Sequence, residues 1–253
     1  MRFASIGSGS AGNGTLIESD ETLLLVDCGF SIKETAARMA RLGRDPSQLT
    51  AVLVTHEHGD HWKGVAPLAR KFSLPVYLTA GTYKAVSENA GAGIFNLIDS
   101  HAPFKLGSIE VNPVAVPHDA REPVQFTLTS SAGKLGILTD LGSLTSHVID
   151  QYSNCHSLLV EANHDVDMLM RGPYPPSLKE RVAGNWGHLN NQQCAYFLES
   201  IDCSLLSTLV IGHVSTKNNC LDLLQKTIAE LPQRWKKTLF ACQDGGFDWI
   251  RVE

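Results

Sequence analysis

The chain has 253 residues, 43% of them hydrophobic and 19% charged, which is enough apolar side chain for a sizeable core and excludes a disordered or fibrous polymer. A net charge of -5 argues against a protein that grips nucleic acid through a broadly basic surface, although net charge says little about a local field. There is no stretch of about 18 apolar residues and no apolar core in the small, polar N-terminal segment, so a soluble cytoplasmic protein with no membrane contact is expected. No linker, charge block, low-complexity tract or repeat divides the sequence, and a single domain over residues 1–253 is the expectation. Cys28, Cys155, Cys194, Cys203, Cys220 and Cys242 lack Cys-x-x-Cys spacing and lie in apolar contexts. Buried free thiols in a reducing compartment are expected.

Strands are expected at residues 2–6, 14–19 and 22–27, opening a sheet. Between the first two, Gly7-Ser8-Gly9-Ser10-Ala11-Gly12 has the spacing of a dinucleotide-binding turn, but Gly14-Thr15-Leu16-Ile17-Glu18 follows with strand character. A pyrophosphate turn must open a helix, so these glycines are read as a tight turn bringing backbone close to a site. Ser31-Ile32-Lys33-Glu34 is a capping box for a helix ending near Gly43. A strand at 51–54, a helix from about Trp62 to Lys71, a strand over Pro75-Val76-Tyr77-Leu78 and a helix at 82–90 continue an α/β alternation. Short strands at 94–98, 109–116, 124–130 and 134–138 predict a second, largely antiparallel sheet, with alternation through Val124–Thr129 marking a half-exposed strand. A strand at 157–160, helices near 176–184 and 190–200, a strand at 207–211, a helix at 218–231 and a closing pair at 238–241 and 247–252 complete the chain. Two sheets face to face with helices outside are expected.

The apolar run Ala51–Thr55 leads directly into His56-Glu57-His58-Gly59-Asp60-His61. Imidazole nitrogen and carboxylate oxygen are ligands that a divalent cation such as zinc prefers. In a loop at a strand end, His56 and His58 can face one side while Asp60 and His61 face another, so one segment could serve two ions. Further candidates close other apolar strands: His118 after Val114–Pro117, Asp140 after Gly136–Thr139, and His213 after Leu209–Gly212. Four strand ends of this kind could converge on one edge of a sandwich.

His-x-His-x-Asp-His after an apolar strand resembles the signature of the metallo-β-lactamase superfamily. Arg2–Asn13, Pro117-His118-Asp119-Ala120, Glu161-Ala162-Asn163-His164-Asp165, Gly187-His188-Leu189-Asn190-Asn191 and Gly212-His213-Val214-Ser215 are similar, in order and across nearly the whole chain, to its YycJ/WalJ branch. The resemblance implies an α/β fold, the αββα four-layer sandwich, and metal-dependent phosphodiester hydrolysis, in particular 5′-to-3′ exonuclease action on DNA. It implies that one metal takes His56, His58 and His118, that a second takes Asp60, His61 and His213, and that Asp140 bridges them. It gives Asp27 a supporting role behind the histidine loop. Two divalent ions, zinc or manganese, would hold a hydroxide of lowered pKa as nucleophile.

By the same likeness, His188 resembles the histidine of the His-Ser-Thr motif in tRNA 3′-processing nucleases and is a candidate donor to the leaving oxygen. His164 is a second candidate. Asn190 departs from the serine expected in this branch. Arg171, Lys179 and Arg181, with Tyr174 and Trp186, are candidate strand contacts; a solvated helix face with core aromatics is the competing reading. His101, His147 and His156 have no motif around them and are read as solvated, and Lys236-Lys237 as a surface pair. The functional expectation is a dinuclear phosphodiester hydrolase acting on nucleic acid. The alternatives are a hydrolase of a small thioester, lactone or cyclic phosphodiester, and a regulatory protein that keeps the metals without catalysis.

Overall fold

A computed structural model describes residues 1–90, 95–232 and 234–253. The first half runs β1 (Arg2–Gly7), β2 (Gly14–Ser19), β3 (Thr22–Val26), α1 (Ile32–Arg41), β4 (Ala51–Leu53), α2 (Gly59–Trp62), α3 (Val65–Phe72), β5 (Val76–Thr79), α4 (Ala80–Ala90), β6 (Phe95–Ile98), β7 (Phe104–Leu106) and β8 (Ile109–Ala115). The second runs β9 (Val124–Ser130), β10 (Gly133–Leu138), α5 (Ser146–Tyr152), β11 (Ser157–Glu161), α6 (Val166–Arg171), α7 (Pro176–Ala183), α8 (Asn191–Ser200), β12 (Thr208–Gly212), α9 (Leu221–Ala229), β13 (Lys237–Phe240) and β14 (Phe247–Arg251). No helix among the described residues is long and apolar enough to cross a membrane.

The strands form two mixed seven-stranded sheets, ordered β14-β1-β2-β3-β4-β5-β6 and β13-β12-β11-β10-β9-β8-β7. Each has an antiparallel half and a parallel half. Parallel neighbours need a crossover, and the helices supply it, so they end up on the outer faces. Three layers of apolar contact result. Phe3, Leu24 and Leu53 of the first sheet meet Phe126, Leu159 and Val210 of the second between the sheets. Leu25, Val52 and Val76 face Met39 of α1 and Leu68 of α3. Leu158, Val160 and Leu209 face Tyr152 of α5, Phe197 of α8 and Leu224 of α9. This is the expected αββα sandwich.

Topology decides where the chemistry can sit. Strands β3 and β4 are parallel, so both end on one edge. In the second sheet β10, β11 and β12 are parallel, and β8, two antiparallel steps from β10, points the same way. Every segment carrying a predicted ligand therefore leaves its sheet at a C-terminal strand end.

The capping box at Ser31 and Glu34 is formed. Other details differ from expectation. Residue 94 lies outside the described residues, and the rest of the predicted 94–98 strand joins the first sheet beside β5, because parallel pairing after α4 extends the α/β alternation. The helix expected from about Trp62 to Lys71 starts instead at Val65, after the short α2 has ended at Trp62, since the Pro67 ring would clash with the carbonyl of residue 63 in a continuous helix. Strand β9 is not half-exposed: Gln125 and Thr127 are buried, Gln125 bonded to the Thr139 backbone and Thr127 linked through Asn112 to Gln151 of α5. Strands β13 and β14 do not pair along their lengths; the chain turns at a Cys242–Gly246 bridge and each joins a different sheet. The short β7, α5 and α6 carry too little periodicity to be read in advance. All six cysteines are free, but Cys220 and Cys242 are exposed rather than buried.

Candidate metal centre

The histidine loop leaves β4 through Val54 and Thr55 and turns into α2, with His58 at the N-cap and Asp60 and His61 in the first helical turn. This change from extended to helical backbone sends the side chains two ways. His56 Nε2 and His118 Nε2 lie 3.0 and 3.2 Å from His58 Nδ1. On the other side, Asp60 Oδ2 lies 3.6 Å from His61 Nε2 and 3.7 Å from His213 Nε2. Asp140 stands between, with Oδ2 3.0 Å from His61 Nε2 and Oδ1 3.3 Å from His213 Nδ1. Four sets of potential ligand atoms lie within 4.8 Å of one another among the described residues: His56, His58 and His118; His56, His61 and Asp140; Asp60, His61 and His213; and Asp140, Glu161, His188 and His213.

Backbone strain marks the same places. Asp27 after β3, Asp140 after β10 and His213 after β12 all have left-handed φ, at 60, 63 and 50°. Such a conformation costs about 1–3 kcal/mol in a residue with a side chain, and here it turns the chain sharply at a strand end. Surrounding bonds hold the strained residues. The buried Gln125 amide clamps Thr139 through both its backbone N–H and its carbonyl, Ser8 Oγ accepts from the His213 N–H at 2.8 Å, and Asn163 donates to the His213 carbonyl at 3.1 Å.

Most of the imidazoles are anchored by the nitrogen that faces away from the cluster. Asp27 Oδ2 accepts from His61 Nδ1 at 2.8 Å and from the Thr55 hydroxyl, also at 2.8 Å. That hydroxyl lies 2.9 Å from His56 Nδ1, and the Gly187 carbonyl lies 3.0 Å from His118 Nδ1. Because these acceptors engage Nδ1, the Nε2 atoms of His56, His61 and His118 are the ones turned to the cluster. Asp27 thus lies behind the histidine loop.

The glycine-rich turn comes close as expected. Asn13 N–H donates to the Asp60 carbonyl at 2.8 Å, and a Cβ on Gly29 would lie 1.9 Å from that same oxygen. Gly29→Ala should displace the α2 turn and destabilise the fold by about 1–3 kcal/mol, read as a lower denaturant midpoint. An unchanged midpoint would mean that the turn has slack.

Glu161, which sequence reasoning quoted but gave no role, is the centre of the second-sheet side. It is fully buried, and Oε2 lies 3.1 Å from His188 Nδ1 and 3.2 Å from His213 Nδ1. Oε1 accepts from the Leu141 and Leu189 N–H groups at 3.0 and 2.9 Å. Burial raises a carboxyl pKa, but here His188 and the hydrogen bonds outweigh it and hold Glu161 at about 2. The signal was present: Glu161 closes the apolar strand Ser157–Val160 just as Asp140 and His213 close theirs.

His188 lines the cleft together with His58, Asp60, Asp140 and His213, and its Nδ1 is 3.5 Å from Asp140 Oδ1. His164 does not line this cleft. It is buried, its Nδ1 has no hydrogen-bond partner among the described residues, and burial lowers its pKa to about 4. Asn190 caps α8 and accepts from the Gln193 N–H at 2.8 Å, a task serine performs equally well. Of the candidate cations, only Arg181 lines the cleft, with Tyr174 nearby. Arg171 is exposed beside Asp167, Lys179 donates to the Met170 carbonyl, and Trp186 is an exposed side chain at 62%. His101 and His147 are exposed, whereas His156 is half-buried and accepts from the Lys134 N–H, so it is not solvated as expected.

These donor atoms fit divalent ions. Asp140 Oδ2 and His213 Nε2 are buried with no hydrogen-bond partner among the described residues, an arrangement that costs stability unless something satisfies them. The Asp140 oxygen lies near His61 Nε2 but outside hydrogen-bond geometry. Two adjoining sets of imidazole and carboxylate donors at the edge of an αββα sandwich are consistent with a dinuclear site and define a metal-dependent hydrolase of the metallo-β-lactamase fold.

The chain belongs to the metallo-β-lactamase superfamily, with residues 22–213 matching the family model described as a beta-lactamase superfamily domain. It is 33% identical over 237 residues to the exodeoxyribonuclease YycJ of Bacillus anthracis, covering 91% of this chain and 89% of that one. It is 32% identical over 234 residues to the exodeoxyribonuclease WalJ of Streptococcus pneumoniae, covering 90% and 87%. The crystal structure of the metallo-β-lactamase fold protein YhfI from Bacillus subtilis is similar in fold, with a TM-score of 0.75, 19% identity and 99% of each chain covered.

Proposed function

We propose that this chain is a dinuclear phosphodiesterase that removes nucleotides from DNA in the 5′-to-3′ direction, working as one domain. The observation that carries the reading is the meeting of seven side chains from distant strand ends, with Asp140 grouped on one side with His56 and His61 and on the other with His213. Similarity along about nine-tenths of the chain to proteins named exodeoxyribonucleases supports DNA as the substrate. His56, His58 and His118 would hold one ion, Asp60, His61 and His213 the other, and Asp140 both. When bound, such ions would supply Lewis acidity and a water activated at neutral pH. The protein's own contribution is orientation. Asp27, Thr55 and the Gly187 carbonyl fix three rings, and Glu161 holds His213 and His188 in register. With its Nδ1 on Glu161, His188 has Nε2 left for the cleft, where it can give a proton to the leaving oxygen while the carboxylate stabilises the charged ring.

The two donor sets should load differently with pH. Burial, reinforced by neighbouring imidazoles, lowers His56 well below its ordinary value, and burial also lowers His118, so both are neutral at pH 7 and ready to ligate. Burial would lower His61 and His213 too, but Asp140, with Asp27 for His61 and with Asp60 and Glu161 for His213, outweighs it. His61 is raised well above its ordinary value and His213 to about 10. A metal entering between Asp60, His61 and His213 must displace those protons. Loading followed calorimetrically in buffers of different ionisation enthalpy should therefore give a second ion that releases more protons and weakens more steeply from pH 8 to 6 than the first. Two ions with the same pH dependence would contradict this assignment.

A substrate panel tests the function itself: 5′-phosphorylated duplex and single-stranded DNA, RNA, bis-p-nitrophenyl phosphate, a thioester and a lactone. Progressive loss of DNA from its 5′ end by the metal-loaded protein is expected. Turnover of the thioester or lactone with no attack on any phosphodiester would overturn the reading.

A further inference from the structure

Helix α7 has no buried residue, yet it forms one wall of the metal cleft through Leu178, Arg181 and Val182. The cleft is about 350 Å³ in volume and carries three aspartates. Among the described residues lining it, Arg181 is the sole lysine or arginine. Its guanidinium is already engaged, because Nε donates to Asp119 Oδ2 on the loop after β8. The second Asp119 oxygen lies 3.5 Å from His118 Nε2 and 3.7 Å from His58 Nε2. Arg181 is therefore one carboxylate's width from the triple-imidazole set.

We propose that Arg181 is the side chain that grips the phosphate backbone of the substrate, and that Asp119 occupies it until a phosphate takes its place. This rests on the phosphodiesterase reading above. A carboxylate and a phosphate each present paired oxygens to the same planar fork, so Asp119 is an internal stand-in for the ligand. The Arg181 side chain is 57% exposed and that of Asp119 27%, and a part-exposed pair of this kind adds little to stability. Exchange of partners therefore loses little fold stability. Once Arg181 leaves, Asp119 faces the imidazole set alone, which sets Asp119 in competition with the incoming strand.

The probe is a 5′-phosphorylated single-stranded oligonucleotide with phosphorothioate linkages, which resist hydrolysis. Its binding to the metal-loaded protein is followed by fluorescence anisotropy across a salt series, with metal content and denaturant midpoint measured for each variant. Arg181→Gln should weaken binding on the order of tenfold and flatten the log–log salt dependence by about 0.7, one phosphate contact on a single strand. Arg181→Lys should keep the wild-type salt slope and recover only part of the affinity. Asp119→Asn should bind several-fold more tightly with both ions retained. Asp119→Asn that weakens binding as Arg181→Gln does would make the pair a structural strut and overturn the exchange, and loss of metal from Asp119→Asn would assign that carboxylate to the ions instead. A wild-type protein that hydrolyses bis-p-nitrophenyl phosphate and binds the oligonucleotide no better than Arg181→Gln sinks this proposal alone. Failure of the wild type to bind the oligonucleotide or cleave any phosphodiester sinks it together with the reading beneath it.

Discussion

Asp140→Ala should abolish turnover, with a fall on the order of 10³-fold or more, equivalent to at least about 4 kcal/mol of transition-state stabilisation. Asp140 is 2% exposed and stands between His61 and His213. Its removal takes one proposed ligand from both ions at once and removes the carboxylate that lies between the His61 and His213 rings. Metal content should fall below two per chain, and the loss of turnover should persist when metal is added in excess. Asp140→Asn keeps the shape but offers a neutral carbonyl in place of a carboxylate, so it should retain the fold while losing most of the rate. Full turnover in either variant, with two ions still bound, would remove Asp140 from the mechanism.

Glu161→Gln should reach nearly as far, although Glu161 is no proposed ligand. All four groups around its carboxylate are donors: the Leu141 and Leu189 N–H groups and the Nδ1 atoms of His188 and His213. Glutamine has one acceptor oxygen and turns an amide N–H₂ toward the other pair. Buried unsatisfied donors cost about 1–3 kcal/mol each, so a stability loss of about 2–5 kcal/mol is expected from denaturant unfolding. Releasing His213 should also weaken metal affinity about 10–100-fold, and releasing His188 should lower kcat even at saturating metal. The sign of the pH effect follows from the direction of the shift. Glu161 sits at about 2, below its ordinary 4.5, so it contributes stability above pH 4.5 that drains away as pH falls toward 2. Wild type and Glu161→Gln should therefore differ at pH 6 and converge only as pH falls through about 2. An undiminished midpoint and unchanged metal affinity would mean that the carboxylate is incidental.

Much of this arrangement can be read from the sequence because each functional segment begins with a run of apolar residues. His118, Asp140 and His213 follow such runs, and in an α/β sandwich a run of that kind is a strand whose exit defines an edge. The compact His56–His61 segment then says which edge. What stays hidden is contact between segments far apart in sequence. Glu161 obeys the strand-end rule, but a lone glutamate carries no ligand pattern, and only the meeting of β11 with the His188 loop gives it a task. Asp119 and Arg181 are likewise joined through space alone. The burial of Gln125 defeats a period-two reading because its amide is engaged by the Thr139 backbone of the neighbouring strand end, a contact that alternation cannot show. Residues 95–98 join the first sheet rather than the second for a related reason, since a short strand's pattern does not say which neighbour it will find.

Seven side chains are proposed to form two adjoining metal sites sharing one aspartate. Anomalous X-ray diffraction from crystals of the metal-loaded protein, collected at the absorption edge of the bound ion, tests it most directly. Two peaks are expected: one among His56, His58 and His118, the other among Asp60, His61 and His213, with Asp140 touching both. A single peak, or two with Asp140 or His213 turned away, would contradict it.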